Sequence, residues 1–432
     1  MQHNDLAVVS PPAPIVREVL GNGLRLLTES MPHVRSVSVG VWLTRGSRHE
    51  PEERSGIAHF VEHMLFKGTA TRTAEDIAQA IDSIGGQLDA FTAKEYASYY
   101  IKVLDEHLPL ALDILSDIVL HPALDAGDIE REKKVILEEI KMVEDTPDDL
   151  VHELFTQSFW EGHALGRPIL GTRETVESLT REALRDYFSG VYVPEHFVVS
   201  AVGNLEHGRV RELVERSFGG MRRLGSPAVD GAPAVAPKFM VRNKELEQSH
   251  ICLGTSSYSQ SHQDRYVSYV LNTLLGGSMS SRLFQNVREK RGLAYAVFSG
   301  LAAYRDAGVL TIYAGCANEA VGEVIDLTVE ELRNLKRAPA PEAELRRAKD
   351  HLKGSLMLSL ENTASRMSHF ARQEIYYDRQ FGLDETLDGI ERVSAGDVRR
   401  VAEELFRDGN LAGTVLGPLN GWRYPADRLK LG

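Results

Sequence analysis

Apolar and polar positions along the chain fall into two similar series. In the first, SVSVGVWL (36–43) alternates with the period of two expected of a strand, and a helix follows it. FTAKEYASYYIKVL (91–104) then reads as a strand, 107–119 as an amphipathic helix, and a long charged helix starts at Asp128. The second series has the same order. HICLG (250–254) precedes a helix at about 264–275, strands AYAVFSGL and GVLTIYAG follow, then a helix at about 319–334 and a long helix from Glu342. Matching elements lie roughly 215 residues apart, the mark of a duplicated α+β unit. Neighbouring period-two strands predict a mainly antiparallel sheet with helices on one face. Between the halves, GGMRRLGSPAVDGAPAVAPKF has neither period and reads as a linker. The expected division is 14–220, a linker at 221–237, and 238–432. GNG at 21–23 reads as a hairpin turn, since no G-x-G-x-x-G follows.

Composition agrees with two ordinary globular domains. The 432 residues exceed what one core usually serves, and 43% are apolar and 26% charged. There is no apolar run near the roughly 20 residues a membrane helix needs. The first twenty residues have neither a basic start nor an apolar signal core, so secretion is not expected. The two cysteines, Cys252 and Cys316, fit a reducing, cytoplasmic setting as buried thiols rather than a disulfide. A net charge of −13 argues against nucleic acid as a partner and favours a basic ligand.

The densest candidate chemistry is AHFVEHMLFKGT (58–69). Ser55 can cap a helix here, with Lys67 in its last turn and Gly68 at its end. On that helix His59, Glu62 and His63 fall within an arc of roughly 100°, while Ile57, Phe60, Val61, Met64 and Leu65 take the opposite side. Two imidazoles at i and i+4 can converge on one zinc, and the glutamate between them can reach a water there. The order H-x-x-E-H inverts the usual zinc-protease motif. A histidine pair on a helix is more often surface or satisfied core, so a third ligand decides. In DIEREKKVILEEIKMVED (128–145), Glu132 and Glu139 lie on or beside the apolar stripe, and Glu138 points roughly the other way. Inward carboxylates are costly unless paired or metal-bound, which makes Glu132 and Glu139 the unusual pair.

HFVEH (59–63) with Glu139 downstream resembles the pitrilysin (insulinase) family of zinc peptidases, which includes insulin-degrading enzyme and the mitochondrial processing peptidase. The length and the run VILEEI look most like the short branch similar to the processing-peptidase β subunit. The resemblance extends from about residue 14 to about 420. It implies one Zn2+ per chain held by His59, His63 and Glu139, with Glu62 as general base and Glu132 as an essential supporting carboxylate. It also implies two homologous halves arranged as a clamshell around a chamber. IGGQLDAFT (84–92) is similar to the family's strand beside the zinc, whose free edge pairs with an extended peptide through Gly86, Asp89, Ala90 and Phe91; relatives commonly carry Asn where this chain has Asp89. RLFQNVREKRGLAYAVFSG (282–300) resembles the segment whose Arg288 and Tyr295 reach across to the zinc. Asp149 and Glu153 match the positions that bind an arginine upstream of the cut. The second half reads VLNTLLGG where the motif would recur, so one zinc site per chain is expected.

The resemblance thus implies a zinc metallo-endopeptidase acting on unfolded or short peptides, as a homodimer or as a heterodimer with a sister subunit. The alternative is a non-catalytic assembly subunit of the same fold, a class that typically loses zinc ligands. LLGGSMSSR lacks the Gly-Lys-Ser/Thr of a phosphate loop, and no Pro-Cys-x-x-Cys accompanies the motif as in a zinc deaminase.

Overall fold

In the computed structural model, residues 14–225 and 231–432 are described. The start of the chain (1–13), which bears on the signal reading, and the middle of the expected linker (226–230) lie outside the described residues. The described strands form two sheets. The first contains β1 (Val16–Val19), β2 (Arg25–Ser30), β3 (Ser36–Leu43), β4 (Gln87–Thr92), β5 (Ala97–Leu104) and β6 (Phe197–Gly203), in the order β1-β2-β6-β3-β5-β4. The second contains β7 (Phe239–Asn243), β8 (Ser249–Ser257), β9 (Ala294–Ala303), β10 (Gly308–Cys316) and β11 (Ala412–Gly417), in the order β7-β11-β8-β10-β9. All neighbours run antiparallel except β2–β6 and β7–β11. The order β6-β3-β5-β4 of one sheet is repeated as β11-β8-β10-β9 in the other, so the duplicated unit is visible strand by strand.

The expected helices form at Leu108–Leu120, Ala126–Asp145, Arg265–Leu275, Val321–Arg337 and Glu342–Ser359. The long helix begins at Ala126 because the Asp125 carboxylate accepts the N–H groups of Gly127 and Asp128 at 2.8 and 3.3 Å. GNG is the β1–β2 turn, with Gly23 at φ +91°. The stretch 91–104 is not one strand. Ala93 N–H bonds to Tyr96 C=O at 2.8 Å and turns the chain, so β4 and β5 form a hairpin with β4 on the edge of the sheet.

Helices cover both faces of each sheet, not one. Along β3, Val37, Val39, Val41 and Leu43 enter the core shared with helix Leu108–Leu120. The intervening Ser38, Gly40 and Trp42 face helix Thr363–Tyr377, which comes from the other half. Ser38 Oγ is 2.9 Å from Thr363 Oγ1, Ser200 Oγ donates to Met367 C=O at 3.1 Å, and Trp42, Val198 and Val202 pack on Met367, Phe370 and Ile375. Reciprocally, helix Pro147–Phe159 covers the second sheet, where Val151, Phe155 and Phe159 meet Cys252, Val309 and Leu416. A side chain at Gly254 would come within 2.6 Å of the Phe155 ring. Small residues that look like a solvent face are therefore the seats of exchanged helices.

Ion pairs add to the exchange. Arg48, 1% exposed, donates to Glu95 at 2.7 Å and to Asp306, at the β9–β10 turn, at 2.6 and 2.7 Å. Arg366 pairs with Glu29, and Arg17 with Glu374 at 2.8 Å. Both cysteines are buried free thiols.

Candidate metal centre

The motif helix runs Ile57–Leu65 and buries Ile57, Phe60, Val61, Met64 and Leu65. Its start differs from the expected Ser55 cap. Gly56, at φ +95°, is the capping residue, and the buried Ser55 hydroxyl has no partner among the described residues. The carboxylate of Glu50 closes the helix end instead, accepting Gly56 N–H at 2.9 Å and Ala58 N–H at 2.8 Å. Burial pushes the Glu50 carboxyl up to about 7, against the pull of those two donors. A Cβ at Gly56 would stand 2.6 Å from Leu170 C=O, so glycine is required by space as well as by φ. The helix ends at Phe66, which leaves Gly68, φ +121°, one position later than expected.

The side chains converge as the helical arc requires. His59 Nε2 is 3.6 Å from one Glu139 oxygen and His63 Nε2 is 3.5 Å from the other. Donors about 2.0–2.2 Å from a tetrahedral zinc stand roughly 3.3–3.6 Å apart, so the spacing and the N/N/O donor set both fit the metal. Among the described residues these three are the one such group of His, Cys, Asp and Glu, with all ligand atoms within 4.8 Å of one another. Burial, helped by the neighbouring His63, pulls the His59 imidazolium down to about 3, so the ring is the neutral form that coordinates.

Around these donors stand residues that orient them. His63 Nδ1–H donates to Glu132 at 3.0 Å, which leaves Nε2 with its lone pair toward Glu139. The other Glu132 oxygen forms an ion pair with Lys67 Nζ at 2.8 Å, and Glu132 is only 5% exposed. Glu138 points to solvent and pairs with Lys141 at 2.6 Å. The helix-face distinction among the three glutamates therefore holds.

Glu62 lies beside the donors. Desolvation raises its pKa, Asp89 and Glu139 push in the same direction, and the Thr92 hydroxyl donates to its carboxylate. Thr92 ends β4, whose Gln87, Asp89 and Phe91 are exposed while Leu88, Ala90 and Thr92 are half-buried. Among the described residues β4 pairs only with β5, which leaves its outer edge open beside the site. Gly86 leads into it where a Cβ would meet Ile81 and Val103 at 3.1–3.2 Å. The Asp89 carboxylate accepts from Tyr100 OH and Ala90 N–H, each at 2.8 Å.

Other expected residues are not gathered at the cluster. Arg288 stacks on Phe284 and Tyr295 at 4.7 and 4.9 Å, and Tyr295 is 79% exposed at the start of β9. Among the described residues neither bonds, pairs or stacks with His59, Glu62, His63 or Glu139. Asp149 is exposed, and Glu153, one turn on, is half-buried with its pKa raised by desolvation and lowered in part by Lys94. Burial draws Lys94 down to about 8, and its ammonium donates to Arg167 C=O. Sequence reasoning missed Glu50, Thr92 and Lys67 as supports. Thr92 was legible from the inward period of β4, whereas nothing local to Glu50 marks it as a cap.

The fold and this donor set are those of the inverted-motif zinc peptidases. Residues 25–173 match the family described as Insulinase (Peptidase family M16), and residues 178–352 match the Peptidase M16 inactive domain. An uncharacterized zinc protease of Bacillus subtilis is 44% identical over 91% of this chain and 96% of its own length. Another, of Mycobacterium tuberculosis, is 42% identical over 96% and 95%. A protease from Helicobacter pylori of known crystal structure superposes with a TM-score of 0.87 at 24% identity, covering 94% of this chain and all of that one. The chain belongs to peptidase family M16. No helix among the described residues is long and apolar enough to cross a membrane.

Proposed function

We propose that the protein is a zinc metallo-endopeptidase that cuts unfolded or short peptides bound in extended form. One observation carries this reading: the donor atoms of His59, His63 and Glu139 stand at zinc spacing, with Glu62 beside them and a free strand edge next to it. When bound, zinc supplies a Lewis acid at the scissile carbonyl. Glu62 takes a proton from the attacking water and returns it to the leaving amine; its raised pKa makes it a stronger base than a solvated carboxylate. Thr92 holds the carboxylate in position. The outer edge of β4, through Gly86, Asp89, Ala90 and Phe91, hydrogen-bonds the peptide backbone with little demand on sequence. Asp149 and Glu153 share one side of helix Pro147–Phe159 and suit an arginine upstream of the cut.

Arg288 and Tyr295 complete the oxyanion site in this reading. The β9–β10 turn meets Arg48 and Glu95 through Asp306 and Arg305, and Tyr295 lies at the other end of β9, about 30 Å along the strand. Among the described residues the pair makes no bond, ion pair or ring contact with the donors, so in this reading closure over the peptide, or a second copy of the chain, brings it to the zinc. Two free thiols suit a reducing cytoplasm. A non-catalytic assembly subunit would have no use for the donors and Glu62, all of which are present. The test is cleavage of an internally quenched peptide library by the purified chain. Cleavage lost on chelation and regained with zinc supports the reading, and zinc-replete protein that cuts nothing refutes it.

A further inference from the structure

Two cavities that share lining residues lie outside the cluster of His59, His63 and Glu139. The first, about 450 Å³, is lined by Thr92, whose hydroxyl bonds to Glu62, by the turn Ala93–Tyr96, and by Gln260, Tyr269 and Arg372 of the second half. The second, about 320 Å³, shares those three residues and continues to Arg265, Tyr266 and Phe381. Their junction is braced: Gln260 N–H bonds to Tyr304 C=O at 2.8 Å and Tyr377 OH bonds to Gln260 C=O at 2.7 Å.

The charge along this path is one-sided. The one carboxylate among the lining residues is Glu95, in the first cavity, and it is already committed to Arg48 and to the Arg305 N–H. The inner cavity is lined by two guanidinium groups and by no carboxylate. Arg265 is half-buried; it stacks on Tyr266, Phe381 and Tyr377 at 4.4, 5.2 and 5.4 Å. Among the described residues it donates only to Tyr266 OH at 3.2 Å and His262 C=O at 3.5 Å. Arg372 is exposed at the edge of the cavity and makes no hydrogen bond or ion pair among the described residues. In a chain of net charge −13, this leaves a cationic, ring-lined recess without a counter-ion among the described residues. Rings around a stacked guanidinium hold its fork in place, and a held fork suits a carboxylate flanked by an apolar side chain.

We propose that Arg265 and Arg372 form a carboxylate-binding subsite that anchors one end of the peptide while the cut is made beside Thr92. The proposal rests on the peptidase reading and adds its substrate class: peptides with a carboxylate, next to an apolar or aromatic residue, a few residues from the scissile bond. That carboxylate is either the chain's own C-terminus or an Asp or Glu side chain. With Asp149 and Glu153 suited to an upstream arginine, the site selects opposite charges on its two sides.

The experiment uses one quenched parent peptide in three forms: a free C-terminal acid ending in Phe, its C-terminal amide, and the amide with a glutamate next to that Phe. Each is assayed on the zinc-loaded chain, and the binding of each labelled form is measured by anisotropy on the zinc-loaded Glu62→Gln chain. The wild-type chain is expected to show KM and Kd about tenfold lower for a carboxylate form than for the plain amide, the size of one charge-assisted contact. Preference for the free acid identifies the terminus as the source, and preference for the glutamate form identifies the side chain. Arg372→Gln should abolish the difference, and Arg372→Lys should restore part of it; Arg265→Gln should act likewise where its melting temperature shows that it folds. Equal KM and Kd for all three forms in the wild-type chain, or full discrimination kept by Arg372→Gln, overturns the subsite. Failure to cut any form sinks the peptidase reading instead, and the anisotropy still decides the subsite.

Discussion

His63 Nδ1 stands 3.0 Å from Glu132, and Lys67 Nζ holds the second oxygen of that carboxylate at 2.8 Å. The arrangement fixes the His63 tautomer, so that Nε2, 3.5 Å from Glu139, is the nitrogen with a free lone pair. Glu132→Gln keeps the shape but loses the charge that orients the ring. Zinc affinity should fall about 10–100-fold, as for other residues that support a ligand. Competition with a chromogenic chelator measures it, and an unchanged affinity would make the contact incidental.

Glu139 and Glu138 are neighbours in sequence with opposite surroundings. Glu139 faces both imidazoles, while Glu138 faces solvent and Lys141. Glu139→Gln should lose zinc on dialysis against a mild chelator, and Glu138→Gln should retain it. Equal losses would defeat the assignment of Glu139 as third ligand.

Glu50 holds the start of the motif helix from outside it. Glu50→Ala leaves the N–H groups of Gly56 and Ala58 buried and unpaired, which costs about 1–3 kcal/mol for each. Destabilisation of about 2 kcal/mol or more should appear in urea denaturation, together with weaker zinc retention, because His59 and His63 ride on that helix. A variant as stable as the wild-type chain would mean that the helix end finds other acceptors.

His49 supplies a pH dependence of known sign. Burial, with Arg45 and Arg48 nearby, holds its imidazolium down to about 3, and its Nδ1 accepts Gly46 N–H at 3.1 Å. The unfolded chain takes up this proton below pH about 6.5 and the folded chain does not until about 3, so stability falls as pH drops through that window. At pH 5 the loss from this group is about 2 kcal/mol. Between pH 7 and pH 5 the zinc-free wild-type chain should therefore lose about that much more stability than zinc-free His49→Asn. Parallel losses in urea titrations would show that His49 is protonated in the folded chain.

What was legible in the sequence was local and periodic. The i, i+4 histidines and the stripe of the long helix singled out His59, His63 and the pair Glu132 and Glu139, because helical period decides which side chains share a face; which of the two glutamates faces both imidazoles came only from the family resemblance. The duplicated strand order was legible for the same reason. Contacts between distant segments were not. Ser38, Gly40 and Ser200 read as a polar face, yet they receive a helix more than 160 residues further on. The turn at Ala93–Tyr96 is carried by one backbone hydrogen bond within a stretch of strand-forming residues. Glu50 caps a helix across a loop that returns on itself, and no residue next to the helix signals it.

Glu62→Gln tests the central claim most directly. The amide nearly matches the carboxylate in shape and leaves His59, His63 and Glu139 in place, but it cannot accept the proton of the attacking water. Bound zinc per chain, measured by metal analysis, should equal that of the wild-type chain, while kcat on a quenched peptide should fall by about 10²–10⁴. A variant with full zinc and more than about a tenth of wild-type kcat would contradict the role of Glu62 as the base, since losing a working general base costs at least about 10².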